Sequence, residues 1–185
     1  QWGGKILDSK GAKPATAIGA ALAAVGFFLW AGQVTDVEDG LGGMWIYMVM
    51  AGAGVGLMLC PVSTDAINRA PNTSYGEATG ITQTVRNYAA AFGLAVLGSI
   101  LTTRNQTNVE EKLASLNVPT DEADKIAHAM TSSGGGNQDA ISAHASGPEM
   151  DKIFNALQEA FAASTSTVFY IMGALMVICY LAAHF

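Results

Sequence analysis

The stretch TSTVFYIMGALMVICYLAA, residues 165–183, decides the fold of this chain. From Ala160 to Phe185 the sequence holds no Asp, Glu, Lys or Arg, and a water-soluble helix could hardly stay uncharged on every face over that length. A helix that crosses the hydrocarbon core of a bilayer, about 30 Å thick, needs roughly 20 mostly apolar residues. The stretch therefore predicts a transmembrane helix.

Three further apolar stretches, residues 15–32, 44–61 and 80–101, have about the length of one bilayer crossing. Only the last of them contains a charged residue, Arg86. Together the four stretches predict an all-α, polytopic transmembrane helix bundle. The predicted boundaries are a cytoplasmic loop over 1–14, transmembrane helices over about 15–33, 43–65 and 79–102, an extracellular loop over 103–163 and a last transmembrane helix over 164–185.

The short connections predict the orientation in the cell membrane, because Lys and Arg are enriched in cytoplasmic loops. The connection between the first two spans contains Asp36, Glu38 and Asp39 but no Lys or Arg, so we expect it outside. The long loop over 103–163 then also lies outside, and the C-terminus returns to the cytoplasm. The basic residues on the predicted cytoplasmic side are Lys5, Lys10, Lys13, Arg69 and Arg86.

The polar segment 103–163 carries most of the acidic residues behind the formal charge of −6. This acidity is local and says nothing about a basic partner, and we expect no nucleic-acid partner. Ser146-Gly147-Pro148-Glu149 has the spacing of a capping box and predicts an amphipathic helix that leads into the last span. Thr107 to Glu110 offers a second capping box, and 121–130 a further short helix. We expect a lid or a flexible spacer here rather than a ligand-binding domain.

Small residues recur four positions apart within the apolar stretches, which lets helix backbones approach closely. We interpret this spacing as helix packing in a bundle, with a hinge or a dimerisation role as the alternative. The spaced residues are Gly19 and Ala23, Gly52 and Gly56, Ala89 and Gly93, and Ala91, Ala95 and Ser99.

The segment GKILDSKGAK, residues 4–13, directly precedes the first span. It resembles the cytoplasmic loop signature of the major facilitator superfamily, G-x-L-x-D-R-x-G-R-K, with Gly4, Asp8, Gly11 and Lys13 in register. Ser9 and Ala12 replace two arginines of that signature. The resemblance implies that the glycines form a tight turn and that Asp8 helps to hold one conformation, and a carboxylate near a helix N-terminus is favoured by the helix dipole.

A second resemblance covers nearly the whole chain. The glycines from Gly52 to Gly56, then Pro61, YGEATG at 75–80 and QTVRN at 83–87 follow one another as in the fourteen-helix drug/proton antiporters of the EmrB/QacA type. Those proteins also carry a long outer loop before the last helix. The resemblance implies that the four spans are helices eleven to fourteen. It also implies that this chain is a C-terminal fragment and that about ten helices precede it.

Several residues inside the spans are candidates on their own chemistry. Gln83, Arg86 and Asn87 are candidates for the substrate pathway, because polar and ionisable groups at such depth usually face the bundle interior or a water-filled cavity. Arg86 has a second interpretation, in which it reaches back to the membrane surface. Asp65 is expected to be solvated or ion-paired rather than to carry protons. Pro61 is a candidate gating kink or a tolerated proline.

We therefore expect a secondary active transporter that couples the efflux of amphipathic organic compounds or drugs to protons by alternating access. The alternatives are an exporter of a specific metabolite and a non-transporting membrane anchor or sensor subunit. No Asp, Glu or His lies in the middle of a predicted span, so the proton-coupling residue is expected in the missing N-terminal helices. We expect no enzyme activity, cofactor or metal. The expected partners are the lipid bilayer, a small-molecule substrate, protons and those missing helices.

Overall fold

The computed structural model of the chain describes residues 11–35, 43–70, 74–116 and 148–184. Within these ranges the ordered elements are helices, which confirms the predicted all-α fold. Each of the four helices is long and apolar enough to cross a membrane. They are α1 (Ala12–Gln33), α2 (Met44–Asn68), α3 (Tyr75–Ser115) and α4 (Pro148–His184).

Helix α1 is the centre of the bundle, since it packs along both α2 and α4. One side of α1 consists of alanine and glycine, and Ala20, Ala23 and Ala31 are completely buried. Such small side chains let the neighbouring backbones come close where lipid gives no hydrophobic drive for association. The predicted role of Gly19 and Ala23 in helix packing is confirmed.

The crossing of α1 and α2 depends on Gly54. A Cβ atom added to this glycine would overlap the backbone nitrogen of Ala23 and would lie 2.6 Å from the carbonyl oxygen of Gly19. Gly52 and Gly56, the pair predicted for packing, have no atom of the described residues within 4 Å of such a Cβ. Among the described helices Gly54 makes the contact instead, because residues two apart point to nearly opposite sides of a helix.

An aromatic cluster joins α1 to α4 beyond this crossing. The rings of Trp30 and Phe169 stack with centroids 4.4 Å apart, and Phe27 lies 6.3 Å from Phe169. Phe27 is buried together with Ala23 and Ala51, so the same cluster connects to α2. These contacts make α1, α2 and α4 one packed unit.

Helix α3 is longer than the predicted third span, and α4 begins earlier than the predicted fourth. Residues 103–115 and 148–163, expected to be part of a loop, are helical continuations of α3 and α4. No helix starts at the capping box predicted at Thr107. Instead, Thr107 Oγ1 donates a hydrogen bond of 3.0 Å to the carbonyl of Thr103 inside α3. The amphipathic helix predicted to lead into the last span is confirmed, and the short helix expected over 121–130 lies outside the described residues.

The continuations of α3 and α4 pack against each other as a helical hairpin with its own core. Val109 and Leu113 of α3 are completely buried against Leu157 and Ala160 of α4. Burying side chains of this size contributes about 1.5–3 kcal/mol for each large aliphatic residue. This gain explains why α3 continues past the predicted boundary rather than ending there.

Candidate functional site

A side-chain N-cap fixes the start of α3. Ser74 is the N-cap in an extended conformation, and its Oγ accepts a hydrogen bond of 3.2 Å from the backbone N–H of Glu77. The Glu77 carboxylate also lies in the first turn, where the helix dipole favours a negative charge. The position of every later residue along α3 is counted from this starting point.

The candidates Gln83, Arg86 and Asn87 form a polar stripe on one side of α3, because their spacing of three and four residues matches the helical turn. Gln83 Nε2 donates a hydrogen bond of 3.2 Å to Asn87 Oδ1, so the two amides hold each other along the stripe. All three side chains are exposed. The structure thus brings these three predicted residues together on a single helix face.

Arg86 has no hydrogen-bond or ion-pair partner among the residues that the structure describes. It lies about 16 Å along the helix axis from Tyr75, at about 1.5 Å per residue. An unpaired guanidinium at such a depth of an apolar helix is costly, and such groups usually serve a substrate or ion path. Arg86 is therefore the strongest single candidate of the stripe.

The neighbouring threonines do not add free donors to the stripe. Thr79, Thr82 and Thr84 each donate their hydroxyl to the carbonyl four residues earlier, at 2.7 Å, 2.8 Å and 2.8 Å. Their hydroxyl hydrogens are therefore satisfied inside α3. Among the polar side chains of residues 79–87, the donors left for another molecule are those of Gln83, Arg86 and Asn87.

The membrane part of α3 is almost uncovered by the other described helices. Tyr88, Phe92 and Leu94 are 79%, 67% and 76% exposed. The small residues predicted for packing there, including Gly93, have no partner among the described helices, and nothing lies within 4 Å of a Cβ added to Gly93. The polar stripe thus belongs to a helix that the described residues leave open.

The candidates near the start of the chain lie at a different place. Gly11 is the N-cap of α1 and has φ of 84°, a conformation that glycine adopts without steric cost. Lys13 follows it in the first turn and lines a groove together with Asp65 and Arg69 of α2. Gly4 and Asp8 lie outside the described residues.

Asp65 is ion-paired, which was one of the two expectations for it. Arg69 Nε donates to Asp65 Oδ2 at 2.7 Å, one helical turn apart. Pro61 lies one turn earlier in α2 and is buried. A proline at this position removes one backbone hydrogen bond from the last part of α2.

A buried polar layer, unrecognised in the sequence, lies where the membrane bundle meets the helical hairpin. Asn108 Nδ2 donates to Ser164 Oγ at 2.9 Å, and Ser164 Oγ donates to the carbonyl of Ala160 at 2.7 Å. Asn105 is 4% exposed on the same side of α3. The sequence signal was the run Ser164–Thr167, whose polar residues interrupt an otherwise apolar helix.

The comparisons with known proteins point to transport. A triacylglyceride transporter of Mycolicibacterium hassiacum is 29% identical to this chain over 122 residues, which is 62% of the chain and 23% of that relative. The chain thus matches less than a quarter of the relative's length. No protein-family model matches the chain. No solved structure matches it either. The likeness to a transporter supports a role in transport, and membership of the major facilitator superfamily stays a prediction.

Proposed function

We propose that this chain is the C-terminal part of a secondary active transporter of the cell membrane, which exports amphipathic organic molecules in exchange for protons by alternating access. In such folds the substrate site commonly lies near the middle of the bilayer, between two halves that move relative to each other. The helices that complete the bundle, and the residue that couples protons, would then be supplied by the rest of a longer protein.

The polar stripe of α3 carries this proposal. Gln83, Arg86 and Asn87 lie on an apolar helix. The face around them is exposed and is not covered by α1 or α4. A helix that only anchors a protein in the membrane gains nothing from an unpaired guanidinium, because each charge placed inside the bilayer costs free energy. A substrate pathway, by contrast, uses such groups to orient polar parts of its ligand.

The name of the relative favours one substrate class. That protein is named as a triacylglyceride transporter, so a neutral lipid is a specific candidate beside drug-like amphipathic compounds. Both classes share large apolar surfaces and a few polar atoms. An exporter of a specific small metabolite is the less favoured alternative.

The residues at the other end of the bundle would control the conformation rather than bind substrate. In this proposal Gly4, Asp8, Gly11 and Lys13 form the cytoplasmic turn that holds one state, and Pro61 loosens the end of α2. Gly11 at positive φ and Lys13 beside the Asp65–Arg69 pair are the observations that support this part.

The test uses the full-length protein in liposomes with an imposed pH gradient. Ethidium and a fluorescent triacylglyceride are offered as separate substrates, and transport is followed with and without an ionophore that removes the gradient. We expect gradient-dependent movement of at least one of them. Movement that ignores the gradient would contradict proton coupling, and no movement of any offered compound beside normal insertion would favour the anchor or sensor alternative.

A further inference from the structure

A groove of about 520 Å³ lies at the end of the bundle where α1 begins and where α2 and α4 end. Its polar lining consists of Lys13 and Thr16 of α1 and of Asp65 and Arg69 of α2. Its apolar lining includes Val62 of α2 and Ala182 of α4. The groove is separate from the polar stripe of α3, which does not contribute to it.

The groove carries a surplus of positive charge. Lys13 and Arg69 face the single carboxylate of Asp65. Asp65 Oδ2 receives only the Nε–H of Arg69, and a guanidinium has five N–H donors, so the terminal N–H groups of Arg69 stay available. The Lys13 ammonium is exposed and has no carboxylate partner among the described residues.

The start of α1 brings a positive partial charge to the groove, and the ends of α2 and α4 bring negative ones, so the surplus comes from the side chains. The N-cap is Gly11, which has no side chain to accept hydrogen bonds from the first turn, and the first turn holds no acidic residue. The cap makes no side-chain hydrogen bond among the described residues, and the positive end of the helix dipole favours a bound anion beside Lys13. Thr16 is not a donor for it, because its hydroxyl already donates to the carbonyl of Ala12 at 2.9 Å.

The combination of charges and apolar walls defines the ligand. We propose that the groove binds the phosphate of an anionic membrane lipid, with Lys13 and the terminal nitrogens of Arg69 as its donors and the start of an acyl chain against Val62 and Ala182. Basic pockets between transmembrane helices at the membrane surface suit such headgroups. A free phosphate ion would use the same donors but would leave the apolar walls uncovered, so the lipid is the occupant that fits the whole groove.

The binding experiment measures the affinity of a soluble short-chain lipid, dioctanoyl phosphatidylglycerol, for the purified full-length protein in a neutral detergent. We expect saturable binding that Lys13→Gln weakens about fivefold, the factor for one cation near an anionic lipid surface. Lys13→Arg should keep the affinity within about twofold. Lys152→Gln is the matched control, since it removes an exposed lysine of α4 about 45 Å from Ala182 along the helix.

Three outcomes would overturn the proposal. Equal affinity for dioctanoyl phosphatidylcholine would show that the headgroup charge is not recognised. Equal weakening by Lys152→Gln would show a diffuse charge effect instead of a site. Complete displacement of the lipid by inorganic phosphate at a concentration equal to that of the lipid would show that Lys13 and Arg69 bind a free anion instead. Arg69→Gln provides a second variant, which should weaken binding without touching α1.

Discussion

Ser166 Oγ of α4 donates a hydrogen bond of 2.6 Å to the carbonyl oxygen of Ala31 in α1, 135 positions earlier in the chain. Ser166 is 5% exposed and Ala31 is completely buried, so this bond joins two helices inside the packed bundle. It also gives the carbonyl of Ala31, near the end of α1, a partner from outside its own helix. Together with the aromatic cluster, the bond joins α4 to the last part of α1.

Ser166→Ala should lower the stability of the purified protein by roughly 0.6 kcal/mol and by no more than about 1.7 kcal/mol, the average and the maximum for hydrogen bonds between membrane helices. Thermal unfolding in detergent, followed by the fluorescence of the tryptophans, gives the measurement. Thr167→Ala is the control, because its hydroxyl donates only to Ala163 within α4. Equal losses in both variants would show that the bond to Ala31 contributes nothing of its own.

Gly54→Ala should disrupt the packing of α1 on α2, because the new Cβ would meet backbone atoms of Ala23 and Gly19 that have no room to move. We expect a loss of about 1–3 kcal/mol, as for other overpacked sites. Gly56→Ala, two positions along the same helix, adds the same methyl group in open space, where it should leave the stability unchanged or raise it by up to about 1 kcal/mol through the helix propensity of alanine. Size-exclusion profiles and unfolding temperatures of the two variants compare them directly.

Leu157→Ala should loosen the helical hairpin while the membrane bundle stays intact. Truncation of a completely buried leucine costs about 2–5 kcal/mol, and Leu157 packs in the small core formed with Val109 and Leu113. Hydrogen exchange should speed up at the amides of residues 105–116. Leu116→Ala, at the exposed end of α3, should leave exchange unchanged, and faster exchange throughout α1 and α2 would contradict an independent hairpin core.

Arg86→Ala should abolish or reshape transport at a normal protein level if the guanidinium lines the substrate pathway. Arg86→Lys should rescue poorly, because an ammonium lacks the planar fork that holds two hydrogen bonds at once. Transport in liposomes and protein quantification in the membrane are the two measurements. Thr84→Ala serves as the control, since its hydroxyl is satisfied by the carbonyl of Gly80. Full activity of all three variants would leave Arg86 as an anchor at the membrane surface.

Asp8→Asn in the full-length protein should reduce transport strongly and leave insertion unchanged, if the carboxylate holds one conformation through a helix dipole and basic neighbours. Ser9→Ala, at the adjacent position, is expected to be silent. Unchanged transport by Asp8→Asn would mean that residues 4–13 are an ordinary cytoplasmic turn that merely resembles the family signature.

The four apolar stretches predicted the helices correctly because their length and lack of charge have one common cause, the thickness of the bilayer. The rotation of each helix about its own axis, which decides which residues face a neighbouring helix, has no such local cause. Gly52, Gly54 and Gly56 are chemically identical, and only the position of α1 beside α2 selects Gly54 as the contact. The bond between Ser166 and Ala31 likewise depends on two distant segments, and its acceptor is a backbone carbonyl, which leaves no pattern in the sequence of α1.

The end of α3 shows a different limit of local patterns. Thr107 and Glu110 have the spacing of a capping box, but the same spacing occurs inside a helix, where a threonine hydroxyl can donate to the preceding turn. The apolar residues Val109 and Leu113 fitted a separate short helix as well as a continued one. The surface of α4 that packs against these residues decides between the two possibilities. The polar stripe of α3, by contrast, was predictable, because an arginine is conspicuous among apolar neighbours.

Helix α3 also has a mechanical consequence, since it runs unbroken for 41 residues with no proline, about 60 Å from end to end. It is held by α4 beyond the polar layer at Asn105, while its membrane part is nearly free of the other described helices. Arg86 lies about 28 Å from that layer along the axis. A tilt of about 5° at the layer would therefore move Arg86 by roughly 2.5 Å, so that α3 would couple a movement of the helical hairpin to a movement of the polar stripe.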